Sequence, residues 1–237
     1  MSKLQKSALL VSVVLLIDQI LKIWIKTNMA LGDEFSVIGD WFVIHFVENN
    51  GMAFGFEFGG EYGKMFLSLF RVVAVFGIGY YILKLVKKDI PMGFIACVAL
   101  IFAGAVGNII DSAFYGLIFS DSYGQVATIF PEGGGYATFL HGRVVDMFYF
   151  PILSGVYPDW VPFLGGGDFQ FFRPVFNIAD SAISVGIFSI ILFYRKEFSE
   201  LTSKDEELVN EEPEAAKEET ETANEVVTPK EKESNEI

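Results

Sequence analysis

The sequence contains few of the residues on which several protein classes depend. Its single cysteine, Cys97, cannot form an intrachain disulfide, which excludes a small secreted domain held together by disulfides. The two histidines, His45 and His141, occur without an HExxH or CxxC motif, which argues against a zinc site. Basic residues are scarce too, at 17 Lys and Arg against 30 Asp and Glu, and none form a cluster with interleaved aromatics. We therefore expect no nucleic-acid partner and no bound metal.

The net charge of −13 combines two unlike parts of the chain. Residues 197–237 hold 15 of the 30 acidic residues and 4 of the 17 basic ones, whereas residues 1–196 have a net charge of −2. The C-terminal part is rich in glutamate and poor in large apolar residues, a composition typical of disordered segments. We predict one structured domain over residues 1–196, followed by a disordered acidic tail over residues 197–237.

Four long apolar segments predict membrane spans. A helix of about 20 apolar residues crosses the hydrocarbon layer of a membrane. Helices of a soluble bundle would show polar stripes at helical spacing, and these segments show almost none. The predicted spans are residues 8–25, 65–83, 92–110 and 175–194. The predicted fold class is therefore a membrane α-helical protein with four transmembrane helices.

The distribution of basic residues predicts the orientation of these spans. Basic residues precede the first span, separate the second from the third, and follow the fourth, so with four crossings all three groups lie on one side. Because basic residues concentrate on the cytoplasmic side, both termini are expected in the cytoplasm. The residues concerned are Lys3, Lys6, Lys84, Lys87, Lys88, Arg195 and Lys196.

The orientation leaves two extracytoplasmic segments, residues 27–63 and 112–174. In the first, residues 40–47 are rich in β-branched and aromatic residues and precede a turn-like Asn-Asn-Gly sequence. We predict a small β-sheet, or cradle, on the outer membrane surface. The second segment is long and rich in aromatic residues, glycine and proline, which is typical of a loop that is either functional or disordered. Its aromatic residues indicate contact with membrane lipids at the interface.

Ionisable residues from all four spans are predicted to gather near the outer face. Two of them are spaced i, i+4 in the first span, and the others lie at or near the outer ends of the remaining spans. Ionisable groups are costly in a membrane and are functional by default. They are Asp18, Lys22, Arg71, Asp111, Asp146 and Asp180.

Three interpretations of this cluster remain open at this point. Buried ion pairs can simply hold helices together, and for any single residue that interpretation is as good as a functional one. For the whole cluster it is weaker, because excess carboxyls in a low dielectric share protons and supply an acid beside a base. Such a pair can activate water for peptide hydrolysis, and it equally suits proton-coupled transport. Residue spacing does not separate these two functions.

Five short motifs are spaced along the predicted spans and outer segments. They are Asp18-Gln-x-x-Lys22, Asn49-x-Gly51-x-Ala-Phe54, Gly107-Asn108-x-x-Asp111, Gly142-x-Val-Val-Asp146 and Phe176-Asn177-x-Ala179-Asp180-x-Ala-Ile183. These motifs resemble those of the bacterial lipoprotein signal peptidases (signal peptidase II). Each motif alone is weak, but all five occur in the family's order on the predicted four-span topology. The resemblance covers residues 8–195 and leaves the tail outside.

The resemblance implies an intramembrane aspartyl endopeptidase of the bacterial inner membrane, without metal or cofactor. It also implies that the extracytoplasmic segments form a β-cradle and a helical and loop insertion. Members of the family remove the signal peptide of prolipoproteins, cutting on the amino side of a cysteine that carries diacylglycerol. Carried over by motif, Asp146 and Asp180 form the catalytic pair, one acting as general base on water and the other as the protonated acid. The alternative function is a proton-coupled membrane carrier using the same carboxylates. Four spans without an internal repeat argue against a carrier.

The resemblance also implies substrate-binding and structural residues. They are Asp18, Lys22, Asn49, Gly51, Phe54, Asn108, Asp111, Arg143, Asn177 and Ala179. Where the family usually has Arg after the aspartate of its third motif, this chain has Ser112, and our hypothesis is that Arg143 or Arg71 substitutes for it. The implied partners are a prolipoprotein substrate and a globomycin-type cyclic-peptide inhibitor, and we expect a monomer.

Overall fold

The computed structural model describes residues 1–50, 60–171 and 173–203. The predicted site residues Gly51 and Phe54, and most of the predicted acidic tail, lie outside the described residues. The chain divides into two compact units, residues 1–189 and 190–237. The first unit contains the described members of the predicted site. The described part of the second contains the end of one helix and the short helix Arg195–Ser203.

Long helices occupy the predicted spans. They are α1 (Lys3–Asn28), α2 (Gly60–Leu85), α3 (Met92–Ile110) and α5 (Ile178–Phe193). Helix α1 begins at a capping box formed by Ser2 and Gln5. Within the described residues, three helical stretches are each long and apolar enough to cross a membrane, namely Lys3–Asn28, Ser68–Leu85 and Met92–Ile118. Helix α5 meets this criterion only together with the helix that follows it, Arg195–Ser203. The membrane helical fold is confirmed.

The predicted start of the fourth span is wrong by three residues. Val175 and Phe176 form a short strand, β6, and α5 begins at Ile178. The reason is local, because the Asn177 side-chain Oδ1 accepts a hydrogen bond of 2.9 Å from the backbone N–H of Asp180. This is the bond of a helix N-cap, whose residue and predecessors are extended rather than helical.

The extracytoplasmic segments predicted from sequence contain a small antiparallel sheet. Its strands are β1 (Glu34–Ile38), β2 (Phe42–Asn49), β3 (Val144–Tyr149) and β6 (Val175–Phe176), and a separate hairpin consists of β4 (Leu153–Val156) and β5 (Asp168–Phe171). The strand order of the sheet is β1-β2-β3-β6, and β6 pairs with β3 only at Phe148 and Tyr149. The predicted strand over residues 40–47 corresponds to β2, and an irregularity in the β2–β3 register lies between Ile44 and Val47.

Helix α3 does not end where the apolar segment ends. It continues through a π-helical turn, Asp111–Tyr115, into the short helix α4, Gly116–Ile118. π-Helical turns are rare and frequently lie at functional sites. This turn places Asp111 and Tyr115 toward the interior, and the hydroxyl of Tyr115 donates a hydrogen bond of 3.1 Å to Gln19.

Small residues let α5 pack closely against α3. A Cβ on Gly104 would lie 2.2 Å from the carbonyl oxygen of Ala179, and one on Gly186 would lie 2.6 Å from that of Cys97. Such contacts allow two helix backbones to approach each other, as is common between helices in membranes. The N-terminal turn of α5 is therefore held against the end of α3 that carries the predicted site residues.

Candidate active site

A buried ion cluster on α1 forms the base of the site. The Lys22 ammonium, which is fully buried, lies 3.0 Å from the Asp18 carboxylate and 2.8 Å from the Asp111 carboxylate. The i, i+4 pair predicted on α1 is therefore present, and Asp111 at the end of α3 completes it. A buried charge is tolerated only when it is paired and hydrogen-bonded, and Lys22 meets both conditions.

Asp18 also fixes the N-terminus of α5. Its Oδ1 accepts a hydrogen bond of 3.0 Å from the backbone N–H of Ala179, so a carboxylate on α1 satisfies one of the open donors of α5. A negative charge at a helix N-terminus is favourable. Gly107 leaves room for this contact, because a Cβ there would lie 2.8 Å from Asp18 Oδ2. The next residue after Ala179 is Asp180, whose backbone is thereby positioned.

Asp111 connects the end of α3 to the strand that carries Asp146. Its carboxylate accepts hydrogen bonds from Gln19 Nε2 at 2.9 Å and from the backbone N–H of Val145 at 3.3 Å. Val145 directly precedes Asp146 on β3. The buried ion cluster thus supports both predicted catalytic aspartates, one through Ala179 and one through Val145.

Two asparagine side chains bridge the predicted catalytic aspartates. Asn177 Nδ2 donates to Asp146 Oδ1 at 2.7 Å, and Asn108 Nδ2 donates to Asp180 Oδ1 at 2.8 Å. The two amides contact each other, with Asn177 Nδ2 3.1 Å from Asn108 Oδ1. Lys22 donates to the same Asn108 oxygen at 3.0 Å, which orients the amide so that its NH₂ group faces Asp180. The chain of contacts runs Asp146–Asn177–Asn108–Asp180.

The environment of Asp146 favours a protonated carboxyl. Its side chain lies on β3 and the residue is 4% exposed. Burial, reinforced by the negative charge of Asp180, raises the pKa of Asp146 to about 7. Lys22 and hydrogen bonds from Asn177 and Asn49 act in the opposite direction but do not offset the burial. Near neutral pH, this carboxyl retains its proton in a large fraction of molecules.

The two arginines that we considered as replacements for the family's Arg have different partners in the structure. The charge of Arg71 on α2 interacts with both Asp180 and Asp146. Arg143 instead pairs with Glu48 at 2.7 Å and with Asp121 at 2.8 Å, and its hydrogen bond lowers the pKa of Asp121. Arg71 is therefore the arginine that acts on the aspartate pair.

Arg143 belongs to a second ion cluster that sequence reasoning did not find. The Glu48 carboxylate is buried and also binds the Lys26 ammonium and the Ser122 hydroxyl. Lys26 lies four residues after Lys22, hence on the same face of α1, and this spacing was the available signal. The cluster ties the end of β2 to α1 and to the segment between α4 and β3. It supports the strand end at Asn49, one of whose hydrogen bonds is to Asp146.

The described residues contain no group of three or more His, Cys, Asp or Glu side chains arranged to hold a metal ion. The arrangement that they do contain is a pair of carboxyls of unequal environment, bridged by amides and supported by a buried lysine. The fold and the site together define a membrane protein with an aspartate pair suited to acid–base chemistry.

Comparison with known proteins identifies the family. A sequence model described as Signal peptidase (SPase) II matches residues 10–195. The chain is 55% identical over 195 residues to a lipoprotein signal peptidase of Porphyromonas gingivalis. This match covers 82% of this chain and 84% of that protein. A lipoprotein signal peptidase of Amoebophilus asiaticus is 38% identical over 193 residues, covering 80% of this chain and 78% of that one.

A solved structure agrees with these matches. It is described as a bacterial membrane enzyme at 2.3 Å resolution, and it superposes with a TM-score of 0.54 at 26% identity, covering 83% of this chain and 91% of that one. The chain belongs to the signal peptidase II family and is a peptidase. The predicted family and enzyme class are confirmed, and the alternative of a proton-coupled carrier is not supported.

Proposed function

We propose that Asp146 and Asp180 are the catalytic pair with which this signal peptidase removes signal peptides from prolipoproteins. The observation that carries the proposal is the bridge of Asn177 and Asn108 between the two carboxyls. A pair that is to share one proton needs side chains held in a fixed relation in a low dielectric. The buried ion cluster provides this by fixing the backbones next to both aspartates.

The difference in burial between the two carboxyls supports a proposal for their roles, because Asp146 is buried and Asp180 is partly exposed. Asp146 has the raised pKa and acts as the acid, donating a hydrogen bond to the oxygen of the scissile carbonyl. Asp180 acts as the base and takes a proton from the water whose oxygen attacks the carbonyl carbon. When the C–N bond of the tetrahedral intermediate breaks, the leaving amine takes up one proton from the pair. The hydroxyl group of the water thus ends in the new carboxyl group, and the new amine gains one hydrogen.

The remaining predicted site residues support this pair. Asn108 and Asn177 hold the carboxyls, and Arg71 limits the accumulation of negative charge beside them. Gly51 and Phe54, which lie outside the described residues, are still predicted to cover the substrate from the segment after Asn49. Arg143 pairs with Glu48 and thereby supports the sheet; we assign it no contact with the reacting carboxyls.

The substrate that we propose is a prolipoprotein whose cysteine already carries diacylglycerol, cut on the amino side of that cysteine. The motif resemblance supports this specificity and an inner-membrane location, and the distribution of basic residues supports cytoplasmic termini and an aspartate pair near the outer face. We further propose that the enzyme is a monomer in contact with membrane lipids and binds globomycin-type cyclic peptides. Residues 1–196 would form the peptidase domain and residues 197–237 an acidic tail, whose first residues, up to Ser203, belong to the helix Arg195–Ser203.

The test uses the purified full-length protein and a prolipoprotein in two forms, one lipidated and one with its acceptor cysteine replaced by serine. We expect cleavage of the lipidated form only, and mass spectrometry should give a product that begins at the lipidated cysteine. Cleavage at another bond, or equal cleavage of the serine form, would contradict the proposed specificity. Transport of protons without any cleavage would contradict the proposed activity.

A further inference from the structure

Five aromatic side chains form a continuous surface next to Asp146. They are Trp41, Phe42, Phe148, Phe150 and Phe176, and we call them the aromatic row. The ring of Phe150 stacks on Phe42 at a centroid distance of 4.9 Å and on Phe176 at 5.7 Å, and it lies 6.2 Å from Trp41. The ring of Phe148 lies 6.0 Å from that of Phe176.

The aromatic row shares the face of the sheet that carries the catalytic Asp146. Side chains alternate along a strand, so Asp146 and Phe148 on β3 lie on one face, about 7 Å apart. Phe148 stands opposite Phe176 in the register of β3 and β6, and opposite residues of antiparallel strands also share a face. A group bound on the row therefore lies next to the bond being cut.

The chemistry of this surface suits a hydrocarbon chain. The four Phe side chains are partly exposed and Trp41 is 53% exposed, and the indole N–H is the only polar side-chain group of the row. An extended peptide needs hydrogen-bond partners, which a strand edge can supply, but at Phe148 the strand β3 is paired on one side with β2 and on the other with β6. A hydrocarbon needs only apolar contact.

We propose that the aromatic row binds the acyl chains of the diacylglyceryl group on the substrate cysteine. This inference rests on the proposed function, in which the lipidated cysteine directly follows the scissile bond. The glyceryl thioether gives its acyl chains the reach to a surface that begins about 7 Å from Asp146. The apolar part of the signal peptide lies on the other side of the scissile bond. The row thus makes the enzyme selective for the lipid.

The kinetic test compares lipopeptide substrates that differ only in acyl length, with two C16 or two C4 chains. Loss of contact with a few methylene groups corresponds to about a tenfold change in affinity or more. We expect the full-length wild-type enzyme to show a KM at least about tenfold lower for the C16 substrate. In Phe150→Ala this preference should fall to about twofold, with kcat nearly unchanged.

The matched control is Phe139→Ala, since Phe139 is an exposed phenylalanine whose ring contacts Phe114 rather than the row. It should retain the wild-type preference for long chains. An equal rise in KM for both substrates in Phe150→Ala would overturn the proposal, because the row would then bind the peptide or serve only the fold. An unchanged preference in that variant would overturn it as well.

A binding measurement tests the row without turnover. In Asp180→Asn with Trp24 and Trp160 replaced by Phe, Trp41 is the one remaining tryptophan of the chain. A C16 lipopeptide brominated on its acyl chains should quench the Trp41 fluorescence, and the same peptide brominated on a signal-peptide residue should quench it far less. Equal quenching by both peptides, or none by either, would overturn the proposal. Because no cleavage is involved, this result is independent of whether the proposed activity holds.

Discussion

At the scale of single residues, the raised pKa of Asp146 makes the reaction depend on pH near neutrality. The pair needs one proton, and Asp146 with a pKa of about 7 loses it as the pH rises. We expect kcat/KM to fall above about pH 7 when it is measured as a pH–rate profile on a lipidated prolipoprotein. Asn49→Ala removes a hydrogen bond that lowers this pKa, so it should move the fall to higher pH. A rate that stays constant up to pH 9 would contradict the assignment of Asp146 as the acid.

The same shift predicts a pH dependence of stability. The folded-state pKa of about 7 lies above the unfolded value of about 3.9. The contribution of the Asp146 proton to stability is therefore complete below pH 4 and lost as the pH rises through 7, up to roughly 4 kcal/mol in total. Asp146→Asn should unfold at a higher temperature than the wild type at pH 8, with less difference at pH 5. A lower melting temperature for the variant at pH 8 would contradict the prediction that the buried, charged carboxylate of Asp146 destabilises the fold.

The sequence predicted some of these residues' contacts and not others. The Asp18–Lys22 pair follows from helical spacing, and Asp146 and Asp180 were paired by motif. That Asn177 and Asn108 bridge the aspartates was not predictable, because their contact depends on how β3, β6 and the start of α5 come together in three dimensions. Lys26 and Glu48 were missed because each has its partners far away in the sequence.

At the scale of elements, the close packing of α3 and α5 sets the position of Asp180. In Gly104→Ala the new Cβ would lie 2.2 Å from the Ala179 carbonyl oxygen, so α5 has to shift. We expect a loss of roughly 1–3 kcal/mol in stability and at least a tenfold loss in kcat. Stability is measured by thermal unfolding in detergent and kcat on the lipidated substrate.

The matched control for this prediction is Gly77→Ala on α2. A Cβ at Gly77 would meet no atom within 4 Å, and alanine favours a helix over glycine. This variant should keep full activity and the same or slightly higher stability. If both glycine variants behaved alike, the contact between α3 and α5 would not control the site.

Element boundaries were predictable where hydrophobicity alone decides them. The third span was predicted at the bounds that α3 has, because residues 92–110 are uncharged and end at Asp111. The fourth span was predicted to begin too early, since Val175 and Phe176 are apolar in a strand as well as in a helix. The N-cap bond of Asn177 marks the boundary between β6 and α5. The long-range pairing of β6 with β3 stabilises the strand.

At the scale of the whole molecule, most of the negative charge lies in a different part of the chain from the predicted site residues. The tail holds most of the net charge of −13, whereas the family match ends at residue 195. Deletion of residues 204–237 should leave kcat/KM within about twofold of the full-length value, because the family match ends before this segment. The measurement is the cleavage rate of the lipidated prolipoprotein by both forms at equal concentration. A tenfold loss would show that the tail takes part in the reaction.

The central claim is that Asp146 and Asp180 together cleave the substrate, and the rates of their asparagine variants test it most directly. Asn preserves shape but neither gives nor takes the catalytic proton, so Asp146→Asn and Asp180→Asn should each cleave a lipidated prolipoprotein at least about a thousandfold more slowly than the wild type. Asp40→Asn, in the exposed turn between β1 and β2, is the matched control and should cleave at the wild-type rate. Wild-type cleavage by either variant of the pair, in protein that remains folded, would contradict the account.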